Sequence, residues 1–261
     1  SAENSGGGIH CFKADAANVL TIFAEMLRAT WAPDPARSVQ IDPGQWADGE
    51  AGLSATLERL LTLSPNIAFI RPTVVRDGRE ATLFPTRWRP LAADTLNHIA
   101  WQTERRAGVP VFIDLPDAWL SEPELVGDLA RHVNFAGLRI ATAPGSPAAQ
   151  AVRRAATRWR SPLQLVHALD AVPAPEVWHH LPPGDLIALP ATPSIIAALP
   201  AGVGPRVLLE FDPGRPPGEF AAAMRELEAA GFRQFGVAGF PAAEMAIIGP
   251  ALSLRALPLL P

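Results

Sequence analysis

The chain has 261 residues, 48% of them hydrophobic and 18% charged, which is ample material for a buried core and argues against disorder. A formal net charge of -4 leaves no basic footprint for nucleic acid. Cys11 is the single cysteine, so an internal disulfide and a thiolate metal cluster are both excluded, and no apolar run approaches the roughly 18 residues that a membrane-spanning helix needs.

Residues 1–8 are small, polar and Gly-rich and read as a flexible leader. No signal-peptide pattern follows, and the chain reads either as a mature protein or as a piece of a longer one. An amphipathic helix is predicted over 16–30, with Val19, Leu20, Ile22, Phe23, Met26 and Leu27 as its apolar set. Pro33-Asp34-Pro35 breaks it. Residues 1–36 are therefore expected to be a leader and linker helix, and 37–261 a single large domain.

From residue 39 onward, eight short apolar runs of β type recur at near-regular intervals: 39–42, 67–72, 110–116, 137–143, 163–169, 185–191, 206–212 and 234–240. A helix-like segment lies in each of the seven gaps, and another follows the last run. The clearest are 92–107, ending at Gly108, and 218–230, ending at Gly231, both with glycine where a helix C′ residue belongs. Strands alternating with helices pair in parallel, because a parallel neighbour is reached only through a crossover. Eight such units predict a (β/α)8 barrel, whose strands, buried on both faces, read as continuous apolar runs. Chemistry in such a fold sits at the C-terminal ends of the strands.

Those ends offer Asp42, Asp114, Asp117, Asp170, Glu210 and Asp212, with Arg71 and His167 nearby. Glycoside hydrolysis uses two carboxylates, and the best pair is Asp114 with Glu210 or Asp212, from the third and seventh runs. An acid after a strand is also a common helix cap or turn residue, and Asp212-Pro213-Gly214 has turn composition. Of seven tryptophans, Trp46, Trp88 and Trp119 lie in strand-to-helix connections, where a ring can stack on a sugar. Trp101 is expected in the core, and Trp31, Trp159 and Trp178 in helix packing. His179-His180 lacks a third spaced ligand, so no metal site is predicted. Gly214 and Gly218 stand among three prolines and an acid, a poor phosphate loop. Lys13 is the only lysine and precedes the barrel, which excludes a Schiff-base enzyme. No cofactor motif is present.

One block carries a family resemblance. Phe84-Pro85-Thr86-Arg87, then Pro90-Leu91, Ile99-Ala100-Trp101-Gln102 and Arg106-Ala107-Gly108-Val109 resemble the F-P-N-R, A-W-Q and R-A-G-V stretches of the C-terminal barrel domain of PgaB/HmsF. Weaker echoes are 128–132 with Phe135 and Gly137, Leu209-Glu210, Gly231-Phe232, Phe235-Gly236 and Pro241. The resemblance implies a periplasmic or cell-envelope protein that processes poly-β-1,6-N-acetylglucosamine, with a polysaccharide deacetylase domain upstream. It also implies an acid at Asp42; Arg87 in the matched block, with Arg71, His167 and Asp212 at strand ends, is read as substrate-binding.

The departures are as informative. The family's fourth strand ends in a His-Asp-Asp run that supplies catalytic acids; the aligned residues here are Ala141-Thr142-Ala143, which can neither protonate a leaving group nor balance an oxocarbenium charge. The acidic neighbour of Asp42 is replaced at Gly44, and the family's long insert after the third strand shrinks to 117–122. The resemblance and its departures together imply a degenerate catalytic centre that binds or guides a partly deacetylated β-1,6-glucosamine polymer, with Asp42, Asp114 and Glu210 attracting its free amines. The alternatives are an active glycosidase with relocated carboxylates and a scaffold for the upstream deacetylase.

Overall fold

The structure is a computed structural model that describes residues 35–41, 50–76, 79–83, 95–160 and 163–241. The predicted linker helix at 16–30, and the helix expected after the last strand, lie outside the described residues.

In chain order the elements are β1 (Arg37–Ile41), α1 (Glu50–Leu63), β2 (Ile67–Ile70), β3 (Thr73–Arg76), β4 (Arg79–Thr82), α2 (Thr95–Ala107), β5 (Val111–Asp114), α3 (Pro123–His132), β6 (Gly137–Ile140), α4 (Pro147–Thr157), β7 (Gln164–Ala168), α5 (Pro175–His179), β8 (Leu186–Pro190), α6 (Pro193–Ala198), β9 (Val207–Phe211), α7 (Pro217–Ala229) and β10 (Gln234–Val237). Short 3-10 turns occupy Asp117–Ser121 and Gly204–Arg206. Eight strands close into a barrel in the order β1-β10-β9-β8-β7-β6-β5-β2, every neighbouring pair parallel. All eight predicted runs supply a barrel strand, and the chain is a (β/α)8 barrel.

The apolar runs are continuous because each strand feeds two cores. Ile67, Phe69, Phe112, Val166, Leu186, Ala188 and Leu208 form the cluster inside the barrel. Alternate residues on the same strands, among them Ala68, Ile70, Ile113, Leu165, Ile187 and Leu209, pack outward against Leu53, Leu57 and Leu60 of α1 and the other helices. Proline, abundant in the sequence, is the first residue of α3, α4, α5, α6 and α7. There its missing N–H is no loss and its fixed φ suits the helix. Ser146 caps α4 by accepting from Ala149 N at 3.1 Å. Gly108, at φ 68°, takes the left-handed conformation that ends α2.

Three features depart from the sequence expectation. The β3–β4 hairpin, antiparallel from Thr73↔Thr82 to Arg76↔Arg79, was not anticipated; its signal is the β-branched Thr73-Val74-Val75 run ahead of Asp77-Gly78. Trp101, expected in the core, is 46% exposed, with the Arg105 guanidinium 5.1 Å from its ring centre. The buried stripe of α2 is Leu96, Ile99, Ala100 and Thr103, the i, i+3, i+4, i+7 set, and Trp101 falls off that stripe. Trp159 is likewise 48% exposed rather than packed between helices. Trp178 does pack against the core.

The end of the barrel opposite the strand C-termini is pinned by polar clamps. Asn134 donates to Glu104 Oε2 at 3.0 Å, and Arg160 donates to Asn134 Oδ1 at 3.1 Å and to the carbonyl of Val133 at 2.7 Å. Burial pushes the Glu104 carboxyl above its usual value of 4.5, against the opposing pull of Arg160. A raised folded-state pKa means stability that is full below the unfolded value and declines as pH rises through the folded one. Glu104→Gln, which keeps an oxygen acceptor, is expected to remove that decline. In urea titrations at several pH values, its stability relative to the parent should grow as pH rises above 4.5. A tighter steric constraint lies inside the barrel, where the Phe112 ring covers Gly137. A Cβ there would collide with that ring and lie 2.7 Å from the Gln164 carbonyl. Gly137→Ala should lower the denaturation midpoint by the equivalent of about 1–3 kcal/mol.

Candidate functional site

Inward-facing positions change character toward the strand C-termini. Phe69 and Phe112 fill the middle of the barrel, their rings 5.8 Å apart and edge to face. The next inward residues are polar: Gln40 on β1, Asp114 on β5, Arg139 on β6 and Glu210 on β9. Arg71 follows the last residue of β2, just before the hairpin.

These side chains form one network with Arg139 at its centre. One terminal nitrogen donates to Asp114 Oδ1 at 2.9 Å and the other to Glu210 Oε2 at 2.8 Å. Gln40 Nε2 donates to the second Glu210 oxygen at 3.3 Å, and Arg71 Nε lies 3.7 Å from Asp114 Oδ2. The Arg139 guanidinium carbon stands 5.6 Å from the Phe69 ring centre, within cation–π range. Burial on its own would lower the Arg139 pKa, but the charges and hydrogen bonds of Glu210 and Asp114 outweigh it and hold the guanidinium above its ordinary value. Only the parallel register and barrel closure make this possible. Asp114 is the cross-strand neighbour of Arg139, whereas Glu210 comes from a strand three places further round.

The predicted site residues are distributed unevenly around this network. Asp114, Glu210 and Arg71 are brought together. Asp42, Trp46, Arg87 and Trp88 lie outside the described residues. Asp212 is exposed at the end of β9, its Oδ1 accepting from Gly214 N at 2.7 Å in the turn its composition suggested. Asp170 is exposed after β7. Two residues stand apart from the mouth. Trp119 is buried in the core cluster outside the barrel wall. His167, 1% exposed, points away from the barrel interior: its Nδ1 bonds the Thr142 carbonyl at 2.8 Å and its Nε2 lies 3.6 Å from Asp185 Oδ2. A carbonyl only accepts, so Nδ1 carries the proton. Asp185 is also paired with Arg153 of α4. At the position where the resembling family has acids, the Thr142 hydroxyl is 2.9 Å from Ser146 Oγ, the cap of α4.

Arg139 and Gln40 carry the network and were not among the candidates read from the sequence. The available signal was an arginine inside an otherwise apolar strand, at the position facing the same way as Gly137.

Chemically, the arrangement offers carboxylate oxygens and guanidinium N–H groups at one mouth, with paired charges. One oxygen of each acid is already engaged by the same guanidinium. The network can accept from and donate to hydroxyl, amide or amine groups.

Breaking the network at its centre takes Glu210's guanidinium away and leaves Asp114 only Arg71, 3.7 Å off. Arg139→Ala should cost about 3–5 kcal/mol of stability at neutral pH, the scale for removing one partner of a buried ion pair. Denaturant titration should show the loss as a lowered midpoint. Arg139→Lys should recover only part of it, because a single ammonium cannot present a planar fork to two carboxylates.

No protein-family model and no curated protein sequence matches the chain. In structure it is similar to the PgaB (BpsB) glycoside hydrolase domain from Bordetella bronchiseptica, with a TM-score of 0.65 and 18% identity, over 85% of this chain and 99% of that one. It is also similar to the homocysteine methyltransferase MmuM from Escherichia coli (TM-score 0.53, 10% identity, 84% and 96% covered). A third likeness is to the tryptophan synthase alpha chain from Legionella pneumophila (TM-score 0.52, 12% identity, 92% and 98% covered). What the chain shares with these three proteins is the (β/α)8 barrel, a fold that hosts many chemistries.

Proposed function

We propose that the barrel binds a polysaccharide at the mouth formed by its strand C-termini, without hydrolysing it. The polymer is a partly deacetylated β-1,6-linked N-acetylglucosamine chain. The observation that carries this reading is the Arg139 network: Asp114 and Glu210, the best-placed acids for glycoside cleavage, are both committed to one guanidinium. Two further supports are the structural likeness to a glycoside hydrolase domain and the residue resemblance around Phe84 to Val109. The absence of acids at 141–143, where the resembling family has them, points the same way.

The network changes how a glucosamine unit would be held. Asp114 and Glu210 both bond Arg139, and Arg71 lies 3.7 Å from Asp114, so the two carboxylates face two cations and serve as hydrogen-bond acceptors rather than as bare attraction for amines. Exposed Asp170 and Asp212 remain as the acids toward which a cationic glycan would be steered, and that steering is screened by salt. An upstream deacetylase partner and a periplasmic or cell-envelope setting belong to the same reading. Among the described residues, no helix is long and apolar enough to cross a membrane.

Calorimetric titration with defined, partly deacetylated β-1,6-glucosamine oligomers tests this. The expected result is saturable heat, no shortened products, and several-fold weaker binding by Asp114→Asn. Shortened oligomers released by the parent but not by Asp114→Asn would replace the proposal with a working glycosidase. No heat from folded protein would leave a scaffold that binds no sugar.

A further inference from the structure

A second feature suited to a polar polymer lies on the outer wall of the barrel. Helices α3 and α4 run side by side and leave an open groove of about 490 Å³ between them, within the range of about 300–1,000 Å³ usual for small-molecule sites. Its walls pair acid with base: Glu124 and Asp128 on α3 face Arg154 and Arg158 from α4 and the residue just beyond it. At Gly127 the helices come close, a Cβ there lying 3.8 Å from the Ala155 carbonyl, an ordinary van der Waals contact. Trp159 stands at one end.

Trp159 is not placed there by core packing. Ala149, Val152 and Ala156 are the buried residues of α4, and the helix stops at Thr157. Arg160 then turns inward, donating to the Ala130 and Val133 carbonyls. Trp159 is left 48% exposed, although the Arg131 and Arg158 guanidiniums lie 5.3 and 5.8 Å from its ring centre. Both cations are within cation–π range of the ring and help fix its orientation. An exposed, oriented indole beside carboxylates and guanidinium forks matches the surface of a pyranose, which has C–H faces that pack on a ring and hydroxyls around its edge. A docked helix would want a continuous apolar stripe along the groove; these mixed-charge walls provide none.

We infer that the α3–α4 groove is a second carbohydrate-binding site, with Trp159 as the stacking platform and Arg154 and Arg158 as hydrogen-bond donors to the same polymer that the mouth takes. This rests on the polysaccharide reading above. A site on the outer wall raises the effective concentration of a long chain at the mouth, as linked weak sites do.

The full 261-residue chain, with immobilised partly deacetylated β-1,6-glucosamine polymer and with a short oligomer of the same composition, tests it. Trp159→Ala should bind the polymer about 5- to 10-fold more weakly, the scale of one lost aromatic contact. Its calorimetric affinity for the short oligomer at the mouth should stay unchanged. Trp159→Phe, which keeps a ring, should retain most polymer binding, and Arg158→Ala should fall between the two. Polymer binding by Trp159→Ala or by Arg158→Ala equal to the parent's would overturn the groove while leaving the mouth intact. If Trp159→Ala weakens polymer binding and Asp114→Asn does not, the groove stands and the mouth reading fails. A parent protein that binds neither ligand sinks both.

Discussion

A guanidinium placed inside a barrel is held there by carboxylates, and the mouth of this protein is organised around that requirement. Arg139 leaves water on β6 and regains its interactions from Asp114 on the adjacent strand and Glu210 on β9. Each of the three would be costly alone and is tolerable only with the others. The network consequently couples strands that are distant in sequence, and Gln40 from β1 and Arg71 after β2 extend it round the opening. The same pairing engages an oxygen of each acid with one guanidinium. Structure and chemistry are set by one cation.

Arginine serves the scaffold in a second way. Lys13 is the only lysine in the chain, and the described arginines repeatedly clamp backbone carbonyls at loops. Arg206 donates to Leu181 and Pro182, Arg153 to Leu163, and Arg160 to Ala130 and Val133. A planar fork can satisfy two acceptors at fixed geometry, which an ammonium on a flexible stem does less well. These clamps sit away from the strand C-termini, where stability rather than chemistry is served in this fold. The mouth and the outer groove are then free to present polar groups that a purely structural surface would not need.

Much of the fold was legible in the sequence, because it depends on local pattern. Eight apolar runs became eight parallel strands, since residues facing the barrel interior and residues facing the helices are both apolar. Gly108 and Gly231 close helices in left-handed conformation, at φ 68° and 92°. The β3–β4 hairpin escaped because it is short and breaks the βα rhythm. Trp101 and Trp159 were misplaced because aromatic character was weighed above helical phase; one lies off the buried stripe of α2 and the other beyond the end of α4.

By itself the sequence determined the eight barrel strands, their parallel sheet, and the end of the barrel at which Asp114, Arg71 and Glu210 collect. Tertiary structure alone decided what those acids do. Nothing local to Gly137-Leu138-Arg139-Ile140 says that its arginine will meet an acid 71 positions later. That meeting depends on barrel closure and strand register, which are properties of the whole sheet. It also sent His167 to the outside of the wall and Trp119 into the core, because the side a strand residue faces is fixed by its register against its neighbours, while the sequence shows only that it follows or belongs to a strand.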